Sequence, residues 1–273
     1  MASAPYLRRS DSVFTLDLDL LFALAPAMAG AVCAGGWHAY ALLFLGAGVC
    51  ALLSQTAARL RGELLPDYGF DALLTGLLFV LTLPAGAPLW SAAAGAALAA
   101  AVGELSRRTG LYLLPAAAAR LLLLPVLPAA PPASSFLWGA AGGAMGDFAG
   151  IFLLLGAAYL AARRLSRKIL QPAFLLSAVL AQLPFGSGLS PMGGLLPFAA
   201  LCLLPVPGVG PMTPLGQLLA GVLFGALAGL SRGVGFAEPG VLLCVLGMGL
   251  LRSRFDGVGF FFAVRRMDIS AQP

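Results

Sequence analysis

The sequence predicts an all-α integral membrane protein of about ten transmembrane helices, arranged as a 5+5 inverted repeat with broken helices at spans three and eight. Three observations predict it. First, the 273 residues are 60% hydrophobic and only 10% charged, with a mean hydropathy of +0.96, whereas soluble domains carry about 25% charged residues. Too little polar surface exists to cover a globule in water, so lipid is the solvent for most of the chain. Second, Pro, Gly and charged residues cut the apolar sequence into ten stretches near the roughly 20 residues a spanning helix needs. Third, the basic residues segregate to one side of that arrangement, as cytoplasmic loops require.

The ten segments follow in order as 17–34, 38–57, 69–84, 88–105, 111–127, 137–162, 169–185, 190–206, 214–231 and 238–252. The first begins only after Arg8, Arg9, Asp11, Asp17 and Asp19, so it reads as a retained anchor and not as a cleaved signal peptide. Trp37 and His38 lie at the start of the second and suit a membrane interface. The third and eighth are short and end in similar phrases, "LTLPAGAPLW" (81–90) and "LLPVPGVGPMTPLG" (203–216). All but two of the 16 basic residues fall in the termini and the loops 2–3, 4–5, 6–7 and 8–9 or at their edges. The exceptions are Arg232, on the other side, and Arg120, inside span five. Both termini are therefore expected to be cytoplasmic, and the net charge of +5 reflects topology and gives no support for a nucleic-acid partner.

Ten spans divide into repeats at 1–136 and 137–273, and an odd number per repeat inverts the second copy. The two phrases then occupy equivalent positions. Paired short, Gly/Pro-interrupted segments point to a midplane site in inverted-repeat membrane proteins. Each break frees backbone groups that must meet a cavity, a cofactor or protein. The expectation is a central cavity between Pro84–Pro88 and Pro205–Pro214, with Asp71, Thr75 and Gly76 on one side and Thr213 and Gly216 on the other. Thr75, Gly76, Thr213 and Gly216 are the candidate cofactor-binding residues.

Ionisable groups within apolar segments are costly and are functional candidates. Asp71, Arg120, Asp147 and Glu238 are the candidates for ion coupling, with Asp147 and Arg120 as the expected charged pair and Arg232 as a partner for Glu238. Glu104 reads equally well as an interfacial charge. The single cysteines Cys33, Cys50, Cys202 and Cys244, in no CxxC, read as small packing residues. No nucleophile–base constellation, zinc-type ligand set or nucleotide-binding glycine motif is present, so no catalytic or metal-binding residue is assigned.

"SAPYLRRSDS" (3–12), "DALLTGLLFVLTLPAGAPLW" (71–90) and "GPMTPLGQLLAGVLFGALAGLSRGVGFAEPGVLLCVLGMGLL" (210–251) together resemble the D subunit of Rnf-type ion-motive electron-transport complexes and the related B subunit of sodium-pumping NADH:quinone reductases. The resemblance implies a ten-helix fold like that of bacterial urea channels, in a bacterial cytoplasmic (inner) membrane. It implies other membrane and peripheral subunits as partners, and electron transfer between ferredoxin and NAD coupled to sodium or proton movement. It also implies FMN, linked through phosphate to a Thr in a Ser/Thr-Gly-Ala-Thr motif. That motif is absent here, and Ser134 and Ser135 in "LPAAPPASSF" (127–136) are poor substitutes. "LYLLPA" (111–116) and "CLLP" (202–205) also replace polar residues of the family pattern with leucine. The expectation is an Rnf-type subunit without covalent FMN, leaving a noncovalent flavin open. A non-redox scaffold or a small-solute channel on the same fold is the alternative.

Overall fold

The computed structural model describes residues 13–62, 68–127, 144–147, 150–163, 168–185 and 195–270, and these are helical with no strand among them. Helix α1 (Val13–Leu60) has 48 residues, far more than a bilayer needs. It turns sharply at Gly36, whose φ of 59° and ψ of −144° break the helix. A side chain disfavours that conformation, which glycine adopts freely. The bend makes two apolar arms, Phe14–Cys33 and Gly35–Leu60, each long enough to cross a membrane. Trp37 and Tyr40 stack beside the bend, with ring centroids 5.5 Å apart, and both are exposed.

Helix α2 (Tyr68–Leu81) has only 14 residues, about 21 Å at 1.5 Å per residue. Helix α3 (Leu89–Thr109) is of spanning length and ends at Gly110 with a left-handed φ of 67°. Helix α4 (Pro115–Leu123) is shorter than the expected segment 111–127. Pro115 supplies the first turn, and Leu114 before it is extended, as a residue preceding proline prefers. Helix α5 (Gly150–Ala162) occupies the end of segment 137–162, most of whose first half lies outside the described residues. Helix α6 (Leu170–Gln182), the four-residue α7 (Leu195–Phe198) with a π-helical turn at Ala199–Leu203, and α8 (Pro214–Gly233) follow. Of α2 to α8, α3 and α8 are the ones long and apolar enough to cross a membrane.

Helix α9 (Ala237–Ser270) begins with the expected segment 238–252 and runs on past it to residue 270. Arg252 and Arg254 mark a polarity change, but charge does not stop a helix, and no proline follows until Pro273.

The first break, between α2 and α3, is closed by protein. The Met145 N–H donates to the Leu83 carbonyl at 2.8 Å, and Pro84 pairs with Ala144 in an antiparallel bridge. Within the break, Leu83 N–H donates to Val80 O and Ala87 N–H to Pro84 O. The second break is closed from α9. Asp256 accepts from Met212 N–H at 2.7 Å and from Thr213 N–H at 2.9 Å, and Arg252 Nη1 donates to Gly208 O at 3.1 Å. Of the three destinations open to the freed groups, these take protein.

Small residues set the helix packing. Gly221, Gly225 and Gly229 lie on the α8 face against α6, where an added Cβ would strike the Leu170, Phe174 and Ala178 carbonyls. Gly76 on α2 abuts Gly46 and Ala47 of α1, and Gly156 on α5 abuts Ala23 of α1. Such close approach supplies the van der Waals contact that holds helices together in lipid. Helices α1 and α5 pack together, as do α4 and α9, joining early and late parts of the chain.

Candidate functional site

A cavity of about 290 Å³ lies where the end of α1, the start of α2 and the end of α3 meet the α3–α4 connection. Its floor is apolar, formed by Leu74, Leu78, Ala99, Ala100, Leu114 and Val206. Its polar lining comes from Asp71, Thr75, Glu104, Arg107, Tyr112 and Arg252, among others. The helix ends explain the combination. Each helix is apolar along its length and turns polar in its terminal turn, so converging ends stack charges over an apolar floor.

The carboxylates there are matched. Asp71 Oδ2 accepts from Arg107 Nη2 at 3.0 Å, tying α2 to α3. Glu104 accepts from Arg108 Nε at 3.0 Å and pairs with Arg61, tying α3 to the end of α1. Ser106 Oγ donates to Leu111 O at 2.5 Å and accepts from Leu113 N–H at 3.3 Å, fixing the turn that carries Tyr112. The Arg252 guanidinium sits 5.3 Å from the Tyr112 ring centroid, a cation–π geometry. The same ring lies against Gly208, where φ is 95° and an added Cβ would strike Tyr112.

The predicted residues separate into several places. Asp71 and Thr75, one turn apart on α2, both line the cavity. Gly76 faces α1 as a packing contact. Thr213 caps α8, its Oγ1 accepting from Gly216 N–H at 3.2 Å and approaching Asp256 Oδ1 at 3.1 Å. Thr213 and Gly216 are not part of the cavity lining, and Val206 is the contribution of the two breaks to it. Asp147 ends a 3-10 turn (Met145–Asp147), and its side chain lies outside the described residues.

Arg120, expected as a charged pair with Asp147, meets Glu238 among the described residues. Its Nε donates to Glu238 Oε1 at 2.5 Å, with side chains 0% and 5% exposed, and its Nη1 donates to Leu127 O at 3.3 Å. An arginine on α4 needs a carboxylate at its own depth, and the start of α9 supplies one. Asp19 on α1 accepts from Tyr159 Oη at 2.9 Å and from Arg163 at 2.9 to 3.1 Å, beside α5. Sequence reading misses Tyr112 and Arg252 as cavity residues. In the sequence Arg252 is only an end-of-span charge, and the tyrosine has no local signal. Cys50, Cys202 and Cys244 are buried as packing residues, whereas Cys33 is exposed.

A sequence model of the NQR2, RnfD, RnfE family matches residues 1–130 and 108–258. The chain belongs to the NQR2, RnfD, RnfE family. Among curated relatives in that setting, it is 32% identical over 107 residues to the D subunit of the ion-translocating oxidoreductase complex of Escherichia coli O7:K1 (strain IAI39 / ExPEC), covering 38% of this chain and 30% of the relative. It is 29% identical over 137 residues to the D subunit of the Na(+)-translocating ferredoxin:NAD(+) oxidoreductase complex of Acetobacterium woodii, covering 47% of this chain and 41% of the relative. The matched stretch thus spans less than half the length of either relative. Several apolar helices and membership of the NQR2, RnfD, RnfE family make this a membrane-embedded protein.

Proposed function

We propose that the chain is a membrane subunit of an Rnf-type ion-translocating electron-transport complex, in a bacterial cytoplasmic membrane with both termini cytoplasmic. The observation that carries this is the family match, which extends over 1–130 and 108–258. The two relatives named above are each the D subunit of an ion-translocating oxidoreductase complex.

A 5+5 inverted repeat belongs to the same reading. Two copies related by a two-fold axis touch through equivalent elements. If the arms of α1 count as spans one and two, then α5 is span six, α4 is span five and α9 is span ten. The observed packing of α1 on α5 and of α4 on α9 joins equivalents one with six and five with ten. Within each half, α1 packs on α3 as α6 packs on α8, and α3 on α4 as α8 on α9. The Asp19–Arg163 and Arg120–Glu238 pairs tie the halves at these two contacts.

Any flavin in this reading is held without a covalent bond, since the threonine motif is absent. The cavity of about 290 Å³ is at the small end of ligand pockets, which run about 300–1,000 Å³. It is sized for a ring or a head group and does not fit a whole flavin nucleotide, so no redox step is assigned to its residues. Ion coupling is assigned to the intramembrane charges Asp71, Arg120, Asp147 and Glu238.

The test is affinity purification of the tagged chain in mild detergent. Stoichiometric recovery of other membrane subunits supports the proposal. Recovery of the chain alone from cells that express those subunits overturns it. If Asp147→Asn leaves ion pumping intact in an assembled complex, Asp147 has no coupling role.

A further inference from the structure

We infer that the cavity beside Arg252 holds the phosphate of an anionic membrane lipid, with the guanidinium as its anchor. The inference rests on the membrane location and stands apart from membership of a complex.

Charge comes first. Around the cavity, Asp71 is matched by Arg107, and Glu104 by both Arg61 and Arg108. That leaves Arg252. Among the described residues it makes one hydrogen bond, to the Gly208 carbonyl at 3.1 Å, and one ring contact, with Tyr112. The carboxylate one turn further on α9, Asp256, is committed to the start of α8, where it accepts from Met212 N–H, Thr213 N–H and Thr213 Oγ1. A guanidinium carries five N–H donors in a fixed fork that matches phosphate. Most of that fork is unused here, and the ring and carbonyl contacts already fix the plane. An unmatched cation at the edge of the apolar helices draws an anion, so the site is prepared for one.

The surroundings then choose the kind of anion. Leu74, Leu78, Ala99 and Leu114 form an apolar floor beside the charges, which a fully hydrated ion leaves unused. The cavity lies at the ends of α1, α2 and α3, on the side where the basic residues collect. Basic pockets between helices on that side suit acidic lipid head groups. Its volume fits a head group, so the acyl chains lie along the neighbouring apolar helix faces. Inorganic phosphate offers the same charge without the apolar part, and the experiment separates the two.

The protein is delipidated in detergent, exchanged into nanodiscs of phosphatidylcholine with or without phosphatidylglycerol, and re-extracted for native mass spectrometry. Wild type is expected to retain one phosphatidylglycerol per chain and to discriminate against phosphatidylcholine. Arg252→Gln should lower that retention about tenfold or more, the equivalent of one charge-assisted hydrogen bond. Arg252→Lys should fall between, and Arg254→Gln, at an exposed neighbouring position, should match wild type. Ala100→Phe, which fills the floor and leaves Arg252 in place, should also lower retention, and it decides the matter if Arg252→Gln does not fold. Equal retention of both lipids, undiminished retention in Arg252→Gln or Ala100→Phe, or displacement of the lipid by millimolar inorganic phosphate would overturn the inference. The last result would mark a soluble-anion site.

Discussion

Arg120 on α4 and Glu238 at the start of α9 are 118 positions apart in sequence, yet form a buried ion pair with 2.5 Å between Nε and Oε1. The Arg120 side chain is fully buried and also reaches the Leu127 carbonyl. In a dry interior the cost of desolvating each ion is offset only by its partner. The pair therefore fixes how two distant parts of the chain meet.

Removing one member leaves a buried charge. Arg120→Met or Glu238→Leu should each destabilise by about 3–5 kcal/mol, and the apolar double variant Arg120→Met/Glu238→Leu should recover much of the loss. Thermal unfolding in detergent of the four proteins, treated as a double-mutant cycle, measures this. Additive losses would mean that the pair is not coupled.

Gly225 faces the Phe174 carbonyl at the α6–α8 contact. Gly225→Val must push the helices apart and lose contact along both. A loss of about 1–3 kcal/mol is expected, as for overpacking elsewhere. Leu227→Val, at an exposed position on the same helix, should cost under about 0.5 kcal/mol, as surface changes do. Similar losses at the two positions would contradict the packing described.

Asp256 holds the start of α8 by accepting two backbone N–H groups. Asp256→Ala should cost about 1 kcal/mol, the usual value of a helix cap. The expected signature in hydrogen exchange is faster exchange confined to residues 212–216. Uniform acceleration over α8 would point to global loosening instead.

Orientation is open to labelling. With Cys33, Cys50, Cys202 and Cys244 replaced, Val234→Cys should react with an impermeant maleimide added outside intact cells. Thr109→Cys should react only after the cells are opened. Both sites are exposed in the structure. The opposite pattern would invert the topology.

Helix positions are largely legible in the sequence because they depend on near neighbours. An apolar stretch of about 20 residues has to be helical in lipid, since its backbone groups must bond within the segment. Pro115 and Gly110 carry their own start and stop signals. The end of α9 escapes such reading because a change of polarity marks a membrane edge and not the end of a helix. Asp71 and Thr75 fall on one face as expected, since a four-residue spacing fixes that. Gly76 and Thr213 join them on chemistry alone, and the structure uses one for packing and the other as a cap.

By itself, the sequence determined the solvent, the helical class, the main segments and the family. Each of these follows from local composition and order. The tertiary structure decided that Arg120 meets Glu238, that Met145 closes the first break, and that Arg252 turns over Tyr112 into a cavity whose carboxylates are already matched. Those contacts join residues far apart along the chain, and their energies depend on distances of a few ångströms that exist only once the helices have packed.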